Sequence, residues 1–210
     1  MYKDRLHAGR VLGDAALEFE AEDPLVLAIP RGGVVVGREV AARIGAPLDV
    51  VMAKKIGAPF NPEFAIAAVD PDGEILFSPD VSWAGLREYV LEQAEGKRQE
   101  LRENLMRFRS GRTEKPIKGR TVFLVDDGLA TGLTAMAALR YIRRHDPKSI
   151  ILAVPVAPQD SIQNVGAWAD KVICPLKPRH FYAVGEWYDS FEQVDDQEVI
   201  DVLEEFADLQ

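Results

Sequence analysis

Five short apolar runs constrain the fold most: LVLAIP (25–30), LDVVMA (48–53), RTVFLVDD (120–127), SIILAVPVA (149–157) and KVICPL (171–176). A strand with one wet face alternates apolar and polar residues, whereas a nearly continuous run needs cover on both faces. Between the runs lie segments of helical period: VVVGREVAARIG (34–45), closed by Gly45, then LTAMAALRYIRR (133–144) and SIQNVGAWA (161–169). Such repeats predict a parallel α/β sheet of about five strands flanked by helices. Residues 4–19 add a leading helix, with apolar positions at Leu6, Val11, Leu12, Ala15, Ala16 and Phe19.

The pattern breaks once. FAIAAVD (64–70), a PDG turn and EILF (74–77) read as a two-stranded hairpin. A long helix follows from about residue 84 to 109, with an apolar stripe of Leu86, Val90, Ala94, Leu101, Leu105 and Phe108. Residues 56–63, containing Gly57, Pro59 and Pro62, are expected to form a mobile loop. The expectation is one domain, 1–210, with a flexible loop, hairpin and long helix inserted over 56–110 as a lid or hood.

Charge narrows the choice of partner. The net charge is −9, yet residues 181–210 hold ten acidic and no basic residues, which leaves +1 for residues 1–180. A pI near 4.9 argues against general nucleic-acid binding but leaves room for a small anion held by a local cluster. The stretch 97–120 has nine basic residues against three glutamates; their interleaving over an apolar stripe reads as a solvated helix face. No apolar run reaches about 18 residues and no signal peptide is visible, so a soluble cytoplasmic protein is expected, with no membrane partner. Cys174, in an apolar run, reads as a core residue. His7, His145 and His180 have no metal-ligand spacing.

Two stretches carry chemistry. In VFLVDDGLATGLT (122–134), Asp126 and Asp127 end a strand, at the sheet edge where ligands of open α/β folds bind. The following Gly128, Leu129, Ala130, Thr131, Gly132, Leu133 and Thr134 form a small-residue loop before a helix, able to turn N–H groups and hydroxyls toward a phosphate. Carboxylates repel phosphate but suit vicinal sugar hydroxyls or a hydrated divalent cation. Pair and loop together describe a phosphorylated sugar. In IPRGGVVVG (29–37), Arg31, Gly32 and Gly33 stand at another strand-to-helix junction, a second anion site. Lys54 and Lys55 end the next strand and could meet the same anion; the sequence does not choose between them. The P-loop and dinucleotide glycine patterns are absent.

VFLVDDGLATGLT resembles the phosphoribosyl pyrophosphate (PRPP) motif of the type I phosphoribosyltransferases. KKIGAPFNPEFAIAAV and FYAVGEWYDSF resemble, more narrowly, an uncharacterised group of such proteins from bacteria and archaea. The resemblance covers nearly the whole chain. It implies that Asp126 and Asp127 contact the ribose hydroxyls and that residues 128–134 hold the 5-phosphate. It implies that Arg31, Gly32 and Gly33, in a loop with a cis non-proline peptide, meet the diphosphate with Lys54 or Lys55. Leu133 replaces the glycine often found at its place. The expected activity is Mg²⁺-dependent transfer of the phosphoribosyl group from PRPP to a nitrogen acceptor such as a nucleobase, with Mg²⁺ held mainly by PRPP and waters near Asp126 and Asp127. Phe181 and Trp187 are candidates for the base pocket, with Glu63 and Glu186 as polar partners. The alternatives are a regulatory protein that binds PRPP or a nucleotide without turnover and, more weakly, a sugar-phosphate hydrolase. A homo-oligomer is compatible with each.

Overall fold

The computed structural model describes residues 1–79, 81 and 85–209. Five parallel strands form the central sheet: β1 (Pro24–Ala28), β2 (Leu48–Val50), β6 (Thr121–Val125), β7 (Ser149–Ala153) and β8 (Lys171–Ile173). Their spatial order is β2-β1-β6-β7-β8. The apolar runs are explained by the two cores. Val26, Ala28, Phe123 and Val125 enter one core, with α2 (Gly32–Ile44) and α6 (Asp196–Glu205) packed on it. Leu25, Leu27, Val122 and Leu124 enter the other, beneath α4 (Leu133–Arg144). Successive residues of one strand thus face opposite covered surfaces, which is why neither face can be polar. Helix α1 (Arg5–Ala16) packs on α2, and α5 (Gln159–Gly166) precedes β8.

The insertion differs from expectation. Residues 56–63 are not a loop: β3 (Lys54–Ala58) and β4 (Asn61–Val69) form a hairpin, and β5 (Ile75–Phe77) completes a three-stranded antiparallel sheet. The register shifts around Gly57, whose Cα lies so near Pro62 that a Cβ would meet the Pro62 carbonyl oxygen at 2.1 Å. Glycine and proline here mark a bulged, tightly apposed hairpin. Helix α3 spans Arg87–Phe108; the expected start at residue 84 lies outside the described residues. Val90 and Ala94 join Ile56, Ile66 and Val69 in a small separate core, whereas Leu101, Leu105 and Phe108 enter the main one. Arg144 on α4 ties down the β4–β5 turn through Asp70 at 2.5 Å and Asp72 at 3.0 Å. Among the described residues, no helix is long and apolar enough to cross a membrane.

Candidate functional site

The two loops singled out in the sequence leave adjacent strands. β1 and β6 pair from Pro24–Thr121 to Ala28–Val125, so their carboxyl ends deliver Arg31 and Asp126 to one edge of the sheet. β2 lies outside β1, and β7 outside β6, so the chain reverses its direction of spread between these two loops. Such a switch point opens a crevice that suits a ligand. The loops meet closely: a Cβ on Gly32 would fall 1.9 Å from Asp127 Oδ2, and one on Gly33 would lie 3.0 Å from Asp126 Cα. Only glycine lets the PRGG backbone approach the acidic turn this way. The Pro30–Arg31 peptide is cis.

The carboxylates are individually constrained. Asp126 Oδ1 accepts the Asp127 N–H at 2.9 Å. Asp127 Oδ2 accepts from Arg5 Nε at 2.8 Å. Arg5 is itself held, donating to the Glu192 carbonyl at 2.6 Å and lying 3.8 Å from the Phe191 ring centroid. The Tyr188 hydroxyl donates to the Asp127 carbonyl at 2.6 Å. The two carboxyls also face each other in a side-chain hydrogen bond, which raises Asp126 and lowers Asp127. Burial raises the Asp126 carboxyl well above the usual aspartate range; the charge of Asp127 adds to the rise and Lys55 opposes it. Burial also raises Asp127, against the pull of Arg5. Two aspartates in a partly buried turn therefore hold their charge at a cost that a ligand hydroxyl or cation would relieve.

The glycine loop behind them is a donor surface. Leu129 is the exception: its N–H donates to the Val156 carbonyl at 3.0 Å and its side chain is buried, so it serves packing and offers no amide to a ligand. The amides of Ala130, Thr131 and Gly132 are uncommitted among the described residues, and Ala130 and Thr131 are exposed. Gly132 caps α4 with φ 76°, and a Cβ there would meet Val165 Cγ2 at 2.3 Å. Left-handed backbone and close approach both demand glycine. Gly132→Ala is expected to cost about 1–3 kcal/mol in stability, measured by denaturant unfolding.

Alternation along β3 separates the two lysines. Lys54 Nζ lies 3.7 Å from Glu100 of α3, while the charge of Lys55 is felt by Asp126. Arg31 Nε donates to Asp196 Oδ1 at 2.7 Å, at the start of α6. The late segment folds over the same edge as a 3₁₀ turn, Val184–Trp187. Val184 presses on Gly128, where a Cβ would lie 2.6 Å from its Cγ1. Phe181 and Trp187 pack against a cluster containing Tyr2, Val156 and Tyr188, and the Trp187 Nε1 is buried without a partner.

The phosphoribosyl transferase domain family matches residues 5–189. The chain belongs to that family. It is 42% identical to TT1426 from Thermus thermophilus, whose crystal structure superposes with a TM-score of 0.84 over 98% of each chain. It is 39% identical over 206 residues to Rv0571c of Mycobacterium tuberculosis H37Rv, provisionally named a phosphoribosyl transferase; the match covers 97% of this chain and 46% of that one. The chain thus spans about half the length of the curated relatives it matches. AQ2163 of Aquifex aeolicus, 14% identical with a TM-score of 0.54 over 95% of this chain and 84% of its own, shares the fold.

Within this phosphoribosyltransferase fold, the sequence expectations assemble at one edge: Arg31, Gly32 and Gly33 adjoin Asp126 and Asp127, and residues 128–134 continue from them. Three contributors were missed. Arg5 carried no local signal, because its partner lies 122 residues away. Tyr188 and Asp196 lay in a segment read only as aromatic or acidic. Cys174 is buried, and its thiol is pushed up to about 11, as a core position requires.

Proposed function

We propose that this protein transfers the 5-phosphoribosyl group of PRPP to a nitrogen acceptor and releases diphosphate. The observation carrying this reading is the approach of Gly32 and Gly33 to Asp126 and Asp127: two anion loops with a carboxylate pair between them. The Asp126 and Asp127 carboxylates accept from the ribose 2′- and 3′-hydroxyls, which replace the contact the two carboxyls make with each other. The amides of Ala130, Thr131 and Gly132, with the hydroxyls of Thr131 and Thr134, hold the 5-phosphate at the start of α4. Arg31 and Lys55 face the diphosphate. The acceptor nitrogen forms a bond to C1 as the C1–O bond breaks, its electron pair leaving with diphosphate; the acceptor proton passes to solvent. Orientation and charge do the work, and no covalent protein intermediate is needed.

The donor set fits Mg²⁺ bound chiefly by substrate. Among the described residues there is no group of three metal-ligating side chains. Two neighbouring carboxylates beside a phosphate loop match a hard cation that keeps waters and substrate oxygens as ligands. Asp126 and Asp127 would stand beside it, and it would supply neutralisation of the diphosphate charge.

The acceptor is a flat nitrogen heterocycle in this reading, stacked near Phe181 and Trp187, with Glu63 and Glu186 as polar partners. The antiparallel hairpin carries Phe60, fully exposed, and Phe64, 51% exposed, which would cover the acceptor on closure and exclude water. The test is a panel of Mg²⁺–PRPP with adenine, guanine, hypoxanthine, xanthine, uracil, orotate and small amines, followed by diphosphate release. Acceptor-dependent release supports the reading. PRPP binding without release across the panel favours a PRPP-sensing regulator, and release without acceptor favours a hydrolase.

Arg31 gives a narrower test. Its pair with Asp196 is half-buried, and Arg107 still holds Asp196 once Arg31 is removed, so the loss in stability is small. Arg31→Ala should therefore leave the fold intact and remove a charge-assisted contact worth roughly 1.5–3 kcal/mol. Calorimetry should show PRPP weakened more than ribose 5-phosphate; equal weakening would move Arg31 out of the diphosphate site.

A further inference from the structure

The basic stretch 97–120 is not used by the site above, and the structure divides it in two. On α3 the cations are matched: Lys97 with Glu100 at 3.0 Å, Arg98 with Glu95 at 3.2 Å, and Arg107 with Asp196 at 2.6 Å. After α3 the matching is uneven: Arg109 and Arg120 pair with Asp49 and Asp23, whereas Arg112 and Lys115 have no carboxylate partner among the described residues. A cavity of about 460 Å³ opens between the exit of α3, the edge strand β2 and the end of α6. Arg109, Arg112 and Lys115 line it together with Asp49 and Glu114. It adjoins Leu48 and Asp49, toward the start of β2, away from the carboxyl edge that carries the anion loops.

The polar groups facing this cavity are unequally satisfied. Arg109 is spent internally: its Nε donates to Asp49 Oδ1 at 2.9 Å, its Nη2 to the Val50 carbonyl at 2.9 Å, and Glu114 lies 3.6 Å from Nη1. Asp49 also accepts the Lys115 N–H at 2.9 Å. Glu114 accepts the Tyr141 hydroxyl at 2.7 Å. Both carboxylates are therefore committed. Lys115 Nζ donates to the Leu209 carbonyl and has no carboxylate partner among the described residues. Arg112 has no ion pair among the described residues, and its Nη2 is buried without a hydrogen-bond partner. A guanidinium left this way costs free energy unless something supplies an acceptor. Lys115 responds to the crowding: burial lowers its pKa, and Arg120 and Arg112 lower it further against the pull of Asp49. An added anion would relieve both cations.

We infer that this cavity is a second ligand site, for a small phosphorylated molecule whose phosphate meets Arg112 and Lys115 and whose apolar part rests on Leu48, Pro116 and Leu203. The volume falls within the roughly 300–1,000 Å³ usual for small-molecule sites. A planar guanidinium beside an ammonium suits phosphate oxygens. A polyanion such as RNA fits less well, because Asp49 and Glu114 stand in the same wall and the helix cations are already paired.

The test uses the whole chain and amide chemical shifts, which separate this site from the glycine loop at residues 128–134. Adenosine 5′-monophosphate, inorganic phosphate, adenosine and succinate are titrated in turn. The monophosphate should give saturable shifts at residues 109–116 and near Ala207, inorganic phosphate weaker ones at the same amides, and adenosine none. Arg112→Ala should weaken the monophosphate about tenfold or more at those amides and leave shifts at 128–134 as in the parent. Its melting temperature should equal or exceed the parent's, since an unsatisfied buried donor has gone. No shifts at 109–116 at millimolar monophosphate, or an unchanged titration in the variant, would overturn the inference. So would a fall of several degrees in melting temperature, which would mean the protein itself satisfies Arg112. Shifts with succinate and none with phosphate would reject the phosphate class.

Discussion

The double variant Asp126→Asn, Asp127→Asn is expected to lose acceptor-dependent diphosphate release by about 100-fold or more, and the single variant Asp126→Asn, which keeps the Arg5–Asp127 pair, to gain stability at neutral pH. The first effect follows from two hydroxyl–carboxylate contacts, each worth roughly 1.5–3 kcal/mol when charge-assisted. The second follows from burial and like charge, which raise the folded-state pKa of Asp126 well above the ordinary 3.8. A carboxyl that is harder to ionise in the folded state binds more protons there than in the unfolded chain. Stability is then lost as pH rises from the ordinary value through the raised one. Asparagine carries no such penalty, so the advantage of Asp126→Asn should grow as pH rises above the ordinary aspartate value and shrink as pH falls toward 4. Denaturant unfolding at several pH values beside a diphosphate assay separates the two effects. An activity like the parent's would end the assignment of the pair to the ribose.

Arg5→Met should act oppositely on stability. It leaves Asp127 Oδ2 without its donor in a place where the two side chains are only 11% and 16% exposed. Removing one partner of a buried pair typically costs about 3–5 kcal/mol; the slight exposure here places the expectation near the lower figure. Arg5 is also what holds the Asp127 pKa down, so its loss raises that pKa further. The destabilisation should be largest where Asp127 must be charged and should fade in acid, where it is protonated. Asp127→Asn placed on top of Arg5→Met should recover much of the loss. A double-mutant cycle with no coupling would show that Arg5 acts through the Glu192 carbonyl and Phe191 instead.

These two residues also show what a sequence discloses. Asp126 and Asp127 were legible because strand, acidic pair and glycine loop are contiguous, so local chemistry predicts local geometry. The sheet was legible because two-sided burial removes polar residues from its strands. Arg5 was not, since nothing near it in the chain anticipates a partner 122 residues on. Strand β3 was hidden by its lysines and by Gly57 and Pro59, residues that ordinarily mark loops; pairing with β4 overrides that preference. Only that pairing fixes which lysine faces which way. Helix α6 did leave a trace: Val199, Val202, Leu203 and Phe206 recur at helical spacing and are buried, but the surrounding acidity drew attention to charge instead of period.

Helix α3 belongs to two cores at once. Val90 and Ala94 stabilise the antiparallel insertion, and Leu101, Leu105 and Phe108 are fixed in the main body. Gly96, with open space around it, lies between the two sets. The insertion's core is built mostly from alanine, valine and isoleucine, too little apolar volume to hold so short a segment alone. Its order is borrowed from the far half of α3 and from Arg144. Amide exchange should therefore find the insertion opening as one cooperative unit, at a lower free energy than the sheet and without global unfolding. Heat denaturation, which reports on the sheet, would be blind to that opening, so a variant can keep its melting temperature and still lose the ordered insertion.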